Sequence, residues 1–188
     1  MPLKTTKQRS ILQAARRLLL AANSADVTMD SIAREAGVAK GTLFLYYPSK
    51  AALFAAVHAD LTKAFVAHLL SIRDCGSRGE ELLRGAVKAL VEHLARKTVL
   101  MDALGEKHVC RPPGNRATPI LGALASILEK CAADGLITLE DPMYAASALF
   151  GLCRGSLAYS RGPGRSLSSA EKGERIINIY LNGLRREK

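Results

Sequence analysis

The feature that most constrains the fold is a pair of short helix-forming segments separated by a glycine, at residues 28–46. Thr28 is a residue type that caps helix N-termini, and Asp30 falls in the first turn, where the helix dipole favours negative charge. Gly37 can adopt the left-handed conformation that ends a helix, so a turn is predicted there. The second segment would bury Leu43 and direct its polar residues outward. This arrangement predicts a helix-turn-helix, whose second helix fits a DNA major groove.

The residues that follow extend the same surface. Pro48 ends the second helix, and Ser49 is placed to cap the next one. Lys50 then lies at the positive end of that helix, where free backbone amides also hold a phosphate. The segment therefore predicts a phosphate contact beside the groove-reading helix.

Residues 32–50 resemble the amino-terminal domain of TetR/AcrR-type bacterial repressors, with the sequence IAREAGVAKGTLFLYYPSK. The resemblance implies an all-α chain: a three-helix DNA-binding domain at residues 1–50 and a helical ligand-binding and dimerisation domain at residues 51–188. It also implies that operator contacts, mainly to phosphates, come from Thr28, Lys40, Thr42, Tyr46, Tyr47 and Lys50. The predicted DNA-binding set further includes Gly41 and Leu45 of the second helix.

Two positions depart from the family pattern. Ala39 stands where the family often has a hydroxyl residue, and Leu45 where it often has a polar or aromatic residue that reaches bases. Direct base readout is therefore expected to be thin, or to depend on thymine methyl groups.

Charge supports a nucleic-acid partner only in combination with this motif. The chain carries 27 Lys and Arg against 17 Asp and Glu, and residues 1–50 hold 8 of the former and 3 of the latter. This basic start fits an arm and first helix that contact phosphates, through Lys4, Lys7, Arg9, Arg16 and Arg17. A solvated helix face explains the charge equally well, and only its proximity to the helix-turn-helix favours DNA.

Other classes of protein lack their signatures. The longest uninterrupted apolar runs span a few residues, so we expect no transmembrane helix, no secretion signal and a cytoplasmic location. No nucleophile elbow, phosphate loop or metalloprotease motif is present, so we expect no enzyme and no cofactor. Four cysteines without CxxC spacing fit reduced thiols and no metal site, although His108 and Cys110 leave a ligand or redox pair open.

Helical periodicity runs through almost the whole chain, and no segment reads as a convincing strand. The predicted helices cover residues 7–22, a segment after the Thr28 cap, 40–46, a long segment from Ser49 to Asp74, 80–96, a short segment 99–104, 118–133, a segment from Asp141 to Ser160, and a last helix from Ser168.

The middle helices either enclose an apolar ligand cavity of the kind this family uses for induction or form plain core. The candidate ligand residues are Phe65, Leu90, Leu94, Met101, Leu104, Leu121, Leu124, Leu128 and Phe150. The basic connection at residues 105–116 either gates such a site or is a spacer.

In TetR-like proteins the last two helices form a four-helix bundle with a second copy, and here both helices are broadly apolar. The alternative is that these side chains are core of the same chain, and we expect a mixture. The predicted interface residues are Leu149, Cys153, Leu157, Ile176, Ile177, Tyr180 and Leu184.

The resulting interpretation is a ligand-responsive homodimeric repressor, not associated with a membrane. Its partners would be pseudo-palindromic operator DNA and an apolar small molecule. Two alternatives remain open. One is a DNA-binding helical protein without an inducer, either architectural or constitutive, and the other is a helical interaction protein that does not bind DNA.

Overall fold

The computed structural model describes residues 6–21, 27–102, 118–160, 162 and 164–184. These residues form an all-α fold without strands, as the sequence predicts. The described helices are α1 (Thr6–Leu20), α2 (Met29–Glu35), α3 (Lys40–Tyr46), α4 (Lys50–Asp74), α5 (Gly79–Asp102), α6 (Thr118–Ala133), α7 (Pro142–Tyr159) and α8 (Ser169–Leu184).

The chain forms two compact units with separate cores. One unit holds the residues up to Lys63 together with the end of α5 from Arg96, and the other holds Ala64–Ala95 and helices α6 to α8. The division therefore falls inside α4, whereas the sequence predicted a boundary at residue 50. The difference arises because the helix that begins after Ser49 continues without a break and supplies side chains to both units.

The first core lies where α1 packs on the helix-turn-helix. Ile11 and Leu19 of α1 are fully or almost fully buried, and their spacing of eight residues places them on the same side of the helix. They share one apolar cluster with Ile32 of α2, Leu43 of α3 and Leu53 of α4. Helices α1 to α4 therefore each contribute a large apolar side chain to a single core, which packs behind α3.

Helix α4 is long enough and apolar enough, by length and composition alone, to cross a membrane. The expectation of no membrane-spanning helix rested on uninterrupted apolar runs. In α4, scattered alanines raise the mean hydropathy without forming such a run. The large apolar side chains of α4 have partners within the protein. Leu53 and Val57 are buried in the first core, and Phe65 and Leu69 in the second.

Helix α5 differs from the prediction of two helices at residues 80–96 and 99–104. It runs unbroken from Gly79 to Asp102. The sequence contains neither glycine nor proline between Arg96 and Asp102, so nothing interrupts the helical hydrogen bonds there.

Local signals in the sequence set the ends of α6, α7 and α8. The carboxylate of Asp141 accepts hydrogen bonds from the amides of Met143 and Tyr144, at 2.9 and 3.1 Å. The Ser168 hydroxyl accepts from the Glu171 amide at 3.1 Å while the Glu171 carboxylate accepts from the Ser168 amide at 2.7 Å, which is a capping box. Gly135, with a φ of +78°, ends α6. The predicted caps and the glycine stop are confirmed.

The connection at residues 105–116 lies outside the described residues, and so do His108 and Cys110. A gate over the ligand site, and a metal-ligand or redox pair at His108 and Cys110, therefore stay predictions. Among the described residues, no group of three or more His, Cys, Asp or Glu side chains is arranged to hold a metal ion.

Candidate DNA-binding surface

The start of α2 is fixed by a reciprocal pair of hydrogen bonds. Thr28 is in an extended conformation, and its hydroxyl accepts a hydrogen bond from the Ser31 amide at 3.1 Å. The Ser31 hydroxyl oxygen accepts in turn from the Thr28 amide at 3.0 Å. Val27 before the cap and Ile32 after it are both buried in the first core. The predicted cap is confirmed, and it leaves Thr28 exposed at the edge of the unit.

The turn between α2 and α3 depends on the left-handed conformation of Gly37. Its φ is +66°, its amide donates to the carbonyl of Arg34 at 3.1 Å, and the Val38 amide donates to the carbonyl of Ala33 at 3.0 Å. These two bonds form a Schellman motif, in which glycine is preferred because a side chain is strained at positive φ. The motif sets the direction in which α3 leaves the turn.

Helix α3 presents one face to solvent and the opposite face to the core. Leu43 is fully buried, whereas the Leu45 side chain is 86% exposed and Phe44 is 38% exposed. Lys40 and Gly41 are exposed as well. The face available to a DNA groove is therefore mostly apolar, with a lysine at its N-terminal end.

That lysine is already paired. The Lys40 ammonium lies 2.8 Å from one carboxylate oxygen of Asp30 and 3.0 Å from the other. Both side chains are more than half exposed, so the pair contributes little to stability. Its consequence is electrostatic, because the positive charge of Lys40 reaches a phosphate only in competition with the carboxylate.

Tyr47 is a correction to the predicted DNA-binding set. Its side chain is only 5% exposed and belongs to the first core, where its buried hydroxyl lies near Gln8 of α1 without a partner at hydrogen-bonding geometry among the described residues. Burial raises the pKa of Tyr47, and the Gln8 contact opposes that rise. Sequence position alone did not reveal this, because packing against α1 decides which of the two adjacent tyrosines faces inward. Tyr46 is half-buried and keeps part of its surface available.

Lys50 occupies the start of α4. The Ser49 hydroxyl accepts a hydrogen bond from the Ala52 amide at 3.1 Å, which confirms the predicted cap. The Lys50 ammonium lies 5.3 Å from the centre of the Phe54 ring, and the side chain is exposed. An exposed ammonium at the N-terminus of a helix suits a phosphate oxygen.

Helix α1 adds further positive charge to this unit. Lys7, Arg9 and Arg16 are exposed, and Arg17 lies 3.4 Å from the Glu35 carboxylate at the end of α2. Lys4 lies outside the described residues.

Comparison with known protein families identifies both parts of the chain. Residues 11–57 match the family model described as bacterial regulatory proteins of the tetR family, and residues 107–178 match the C-terminal domain of AefR-like transcriptional repressors. The chain belongs to the TetR family. It is therefore a DNA-binding transcriptional regulator, and the first match covers the helix-turn-helix described above. The comparison with curated protein sequences finds no match to the chain.

Solved structures of transcriptional regulators share the fold over more than nine-tenths of the chain. A TetR transcriptional regulator from Streptomyces coelicolor is 25% identical, with a TM-score of 0.66 over 96% of this chain and 99% of the other. A transcriptional regulator from Cytophaga hutchinsonii is 19% identical, with a TM-score of 0.71 over 96% and 99%. The regulator FadR from Bacillus subtilis, in complex with stearoyl-CoA, is 17% identical, with a TM-score of 0.68 over 93% and 98%.

The candidate ligand residues gather in the second core. Described members of the set are buried there or, in the case of Phe150, packed against it: Phe65, Leu90, Leu94, Leu121, Leu124, Leu128 and Phe150. The side chain of Met101 and all of Leu104 lie outside the described residues. Burial alone is common to a filled core and to a pocket wall, so their role as ligand contacts stays a prediction.

A polar group that the sequence analysis missed lies beside this set. The ring of His93 in α5 stacks on Phe65 of α4, with ring centres 3.9 Å apart and planes 7° from parallel. His93 is half-buried, so one imidazole lies at the edge of an otherwise apolar cluster. In the sequence, His93 follows Leu90 by three residues and Ala89 by four, and this helical spacing could have placed the imidazole beside the apolar side of α5.

The predicted dimer residues require a correction. Leu149, Cys153, Ile176, Ile177 and Tyr180 are buried in the core of their own unit, and the Tyr180 hydroxyl donates to the carbonyl of Ala145 at 3.0 Å. Leu157 is partly buried against the same core, and the side chain of Leu184 is outside the described residues. The five fully buried side chains are not available to a second copy, because the apolar stripe of each helix packs inside its own chain.

Another face of the same two helices is exposed and partly apolar. On α7 it carries Tyr144 (75% exposed) and Tyr159 (52%), and on α8 it carries Ile179 (61%). Gly151 and Gly155 lie between the two tyrosines, and a β-carbon at either glycine would meet no atom within 4 Å. These exposed residues of α7 and α8, Tyr144, Gly151, Gly155, Tyr159 and Ile179, are together called the α7–α8 face.

Proposed function

We propose that the protein is a homodimeric repressor that binds an operator with two half-sites and leaves it when an apolar small molecule binds. The observation that carries this proposal is the exposed face of α3 beside the capped start of α4. That arrangement pairs a groove-sized helix with a phosphate site, which is the docking mode of a helix-turn-helix. A regulator of this kind acts in the cytoplasm, where bacterial DNA lies.

The α7–α8 face supports a dimer. Two exposed tyrosines flank glycines that leave open space, so a second helix could approach closely between aromatic side chains. A two-fold symmetric dimer would place two α3 helices on one face of the duplex, about 34–36 Å apart.

The second core supports an apolar effector. It offers leucine and phenylalanine side chains with the half-buried His93 at its edge. The stearoyl-CoA bound by the Bacillus subtilis regulator shows that one protein of this fold accepts a long acyl chain. We infer for this chain an effector that is mostly apolar with a polar group near His93.

The proposed mechanism is a shift between two populations of the dimer. Operator DNA selects the state in which the two α3 helices match the half-site spacing, and the effector selects another state. Helix α4 is suited to couple these events, because it contributes Leu53 to the first core and Phe65 to the second.

The first experiment measures binding to duplexes from the region flanking the coding sequence by fluorescence anisotropy, with footprinting on the same fragments. We expect protection of two half-sites about one helical turn apart, and an affinity that falls steeply with salt. Equal affinity for operator and scrambled DNA would contradict a regulator with a defined operator.

The second experiment tests the effector through reciprocity. If a compound binds the DNA-incompetent state tenfold more tightly, operator affinity falls by about 1.4 kcal/mol per coupled site, and operator DNA weakens compound binding equally. Fatty acids and acyl-CoA thioesters of increasing chain length are the first compounds to titrate, with and without operator. Identical affinities in both titrations show that the compound is not an inducer.

A constitutive DNA-binding protein is the second candidate. Leu90 and Leu124 are completely buried, as they would be in a filled core. Failure of a broad apolar library to weaken operator binding would favour this candidate over the inducible repressor.

A further inference from the structure

The recognition helix carries an unusual set of groups for reading bases. The seven residues of α3 include no Arg, Asn, Gln, Asp or Glu, the side chains that recognise base edges through hydrogen bonds. Its lysine, Lys40, is paired with Asp30. Thr42 is half-buried. Outside the Lys40–Asp30 pair, therefore, no side chain of α3 can form a bidentate hydrogen bond with a base.

Where a hydrogen-bonding side chain would be expected, α3 presents the apolar side chain of Leu45. At 86% it is the most exposed large apolar side chain among the described residues, although Leu43, two positions earlier, is fully buried. A single exposed leucine is ordinary on a protein surface. Leu45 differs because it lies on the solvent-facing side of the helix that the family inserts into DNA.

The surface next to Leu45 is open. Gly41 precedes it by four residues, so the two share one face of α3. A β-carbon at Gly41 would meet no atom within 4 Å, and the position is exposed. A sugar or base edge of the DNA could thus contact the backbone at Gly41, while the adjacent base contacts the Leu45 side chain.

We propose that Leu45 reads the 5-methyl group of a thymine in each half-site of the operator. This inference rests on the proposed function, because it requires α3 to lie in the major groove. Thymine is the base that displays a methyl group there, and apolar contact with that methyl is the direct readout available to a leucine. The operator half-site is therefore expected to contain a T·A pair at the position facing Leu45.

The test uses the footprinted operator with each thymine replaced in turn by deoxyuridine, which removes the methyl and keeps the pairing. At one symmetry-related position we expect affinity to fall about fourfold per half-site and about fifteenfold when both half-sites are changed. Replacing that T·A pair by C·G should weaken binding further, and 5-methylcytosine at the same position should recover part of the loss.

The variants Leu45→Ala and Leu45→Met identify the residue responsible. Leu45→Ala should lose affinity for the thymine operator and bind the deoxyuridine operator equally well, with an unchanged salt slope. Leu45→Met keeps an apolar side chain of similar reach, so it should remain sensitive to the methyl. Thr138→Ala, a change at an exposed residue between α6 and α7 that belongs neither to the predicted DNA-binding set nor to the α7–α8 face, should behave as wild type in this comparison.

The outcomes separate this inference from the proposed function. If wild type binds its operator specifically but no deoxyuridine replacement weakens it, or if Leu45→Ala remains equally sensitive, Leu45 does not read a methyl group and the repressor proposal stands. If wild type shows no preference for any sequence, both are overturned.

Discussion

The ammonium of Lys40 lies 2.8 Å from the carboxylate of Asp30, so the first residue of α3 is tied to the first turn of α2. This pair places a negative charge beside the candidate DNA-binding surface. Asp30 also favours the N-terminus of α2 through the helix dipole, and this explains its position without any role in binding.

Replacing Asp30 by Asn should strengthen DNA binding. The change removes the carboxylate that competes with phosphate for Lys40, so the slope of log affinity against log salt should steepen by about one. Loss of the exposed pair and of a favourable helix-dipole contact should cost about 1 kcal/mol or less of stability. An unchanged slope would mean that Lys40 does not reach a phosphate.

Lys50→Ala and Tyr46→Ala should weaken operator binding for different reasons. Lys50 is expected to neutralise a phosphate, so its removal should make the salt slope shallower by about one. Tyr46 is half-buried and helps to place α3, so its removal should reduce affinity with little change of slope. Equal slopes for wild type and Lys50→Ala would refute the phosphate contact.

Alanine substitutions at Gly37 and Gly41 compare a glycine at positive φ with a glycine inside a helix of the same motif. Gly37→Ala forces alanine into a φ of +66°, which should destabilise the protein by about 1–2 kcal/mol. Gly41→Ala adds a methyl in open space at a helical position and should stabilise it by about 0.5 kcal/mol. Denaturant unfolding of both variants measures the contrast. Equal effects would show that the turn tolerates a side chain.

The thiols should differ widely in reactivity. Burial raises the pKa of Cys131 to about 11 and that of Cys153 to about 12, so both stay protonated at pH 8. Cys75 is exposed, and hydrogen bonds from Ser77 lower its pKa. Because the thiolate is the nucleophile, brief treatment of the native protein with iodoacetamide should label Cys75 before the buried pair. Peptide mapping by mass spectrometry reads the order. Early labelling of Cys153 would contradict its burial.

Local chemistry made much of the fold predictable. Thr28, Ser49 and Asp141 each cap the helix that the sequence assigned to them, because a cap depends on residues within one turn. The glycine stop at Gly37 is local in the same way. The prediction of a separate short helix at residues 99–104 was wrong, because no glycine or proline after Arg96 interrupts α5 before it ends at Asp102.

Facing directions were harder to predict, because they depend on partners distant in the sequence. Tyr46 and Tyr47 are adjacent and chemically alike, and only the packing of α1 decides that Tyr47 turns inward. On α8 the regular stripe of Ile176, Ile177 and Tyr180 fits an interface and a core equally well. The structure uses it for the core. Exposure of Ile179, an isolated apolar residue off that stripe, had no signal in a single sequence.

Ile179 and Ile177 therefore make the sharpest test of the dimer. Ile179→Glu places a carboxylate on the exposed α7–α8 face, where a monomer can solvate it and an interface would have to desolvate it. We expect the folded protein to sediment as a monomer with nearly unchanged helicity, and its affinity for a two-half-site operator to fall by tenfold or more. Ile177→Glu instead buries the charge in the core, so it should destabilise the fold itself by about 3 kcal/mol or more. Sedimentation velocity with thermal unfolding separates the two effects. A dimeric, operator-binding Ile179→Glu protein would show that the second copy packs elsewhere.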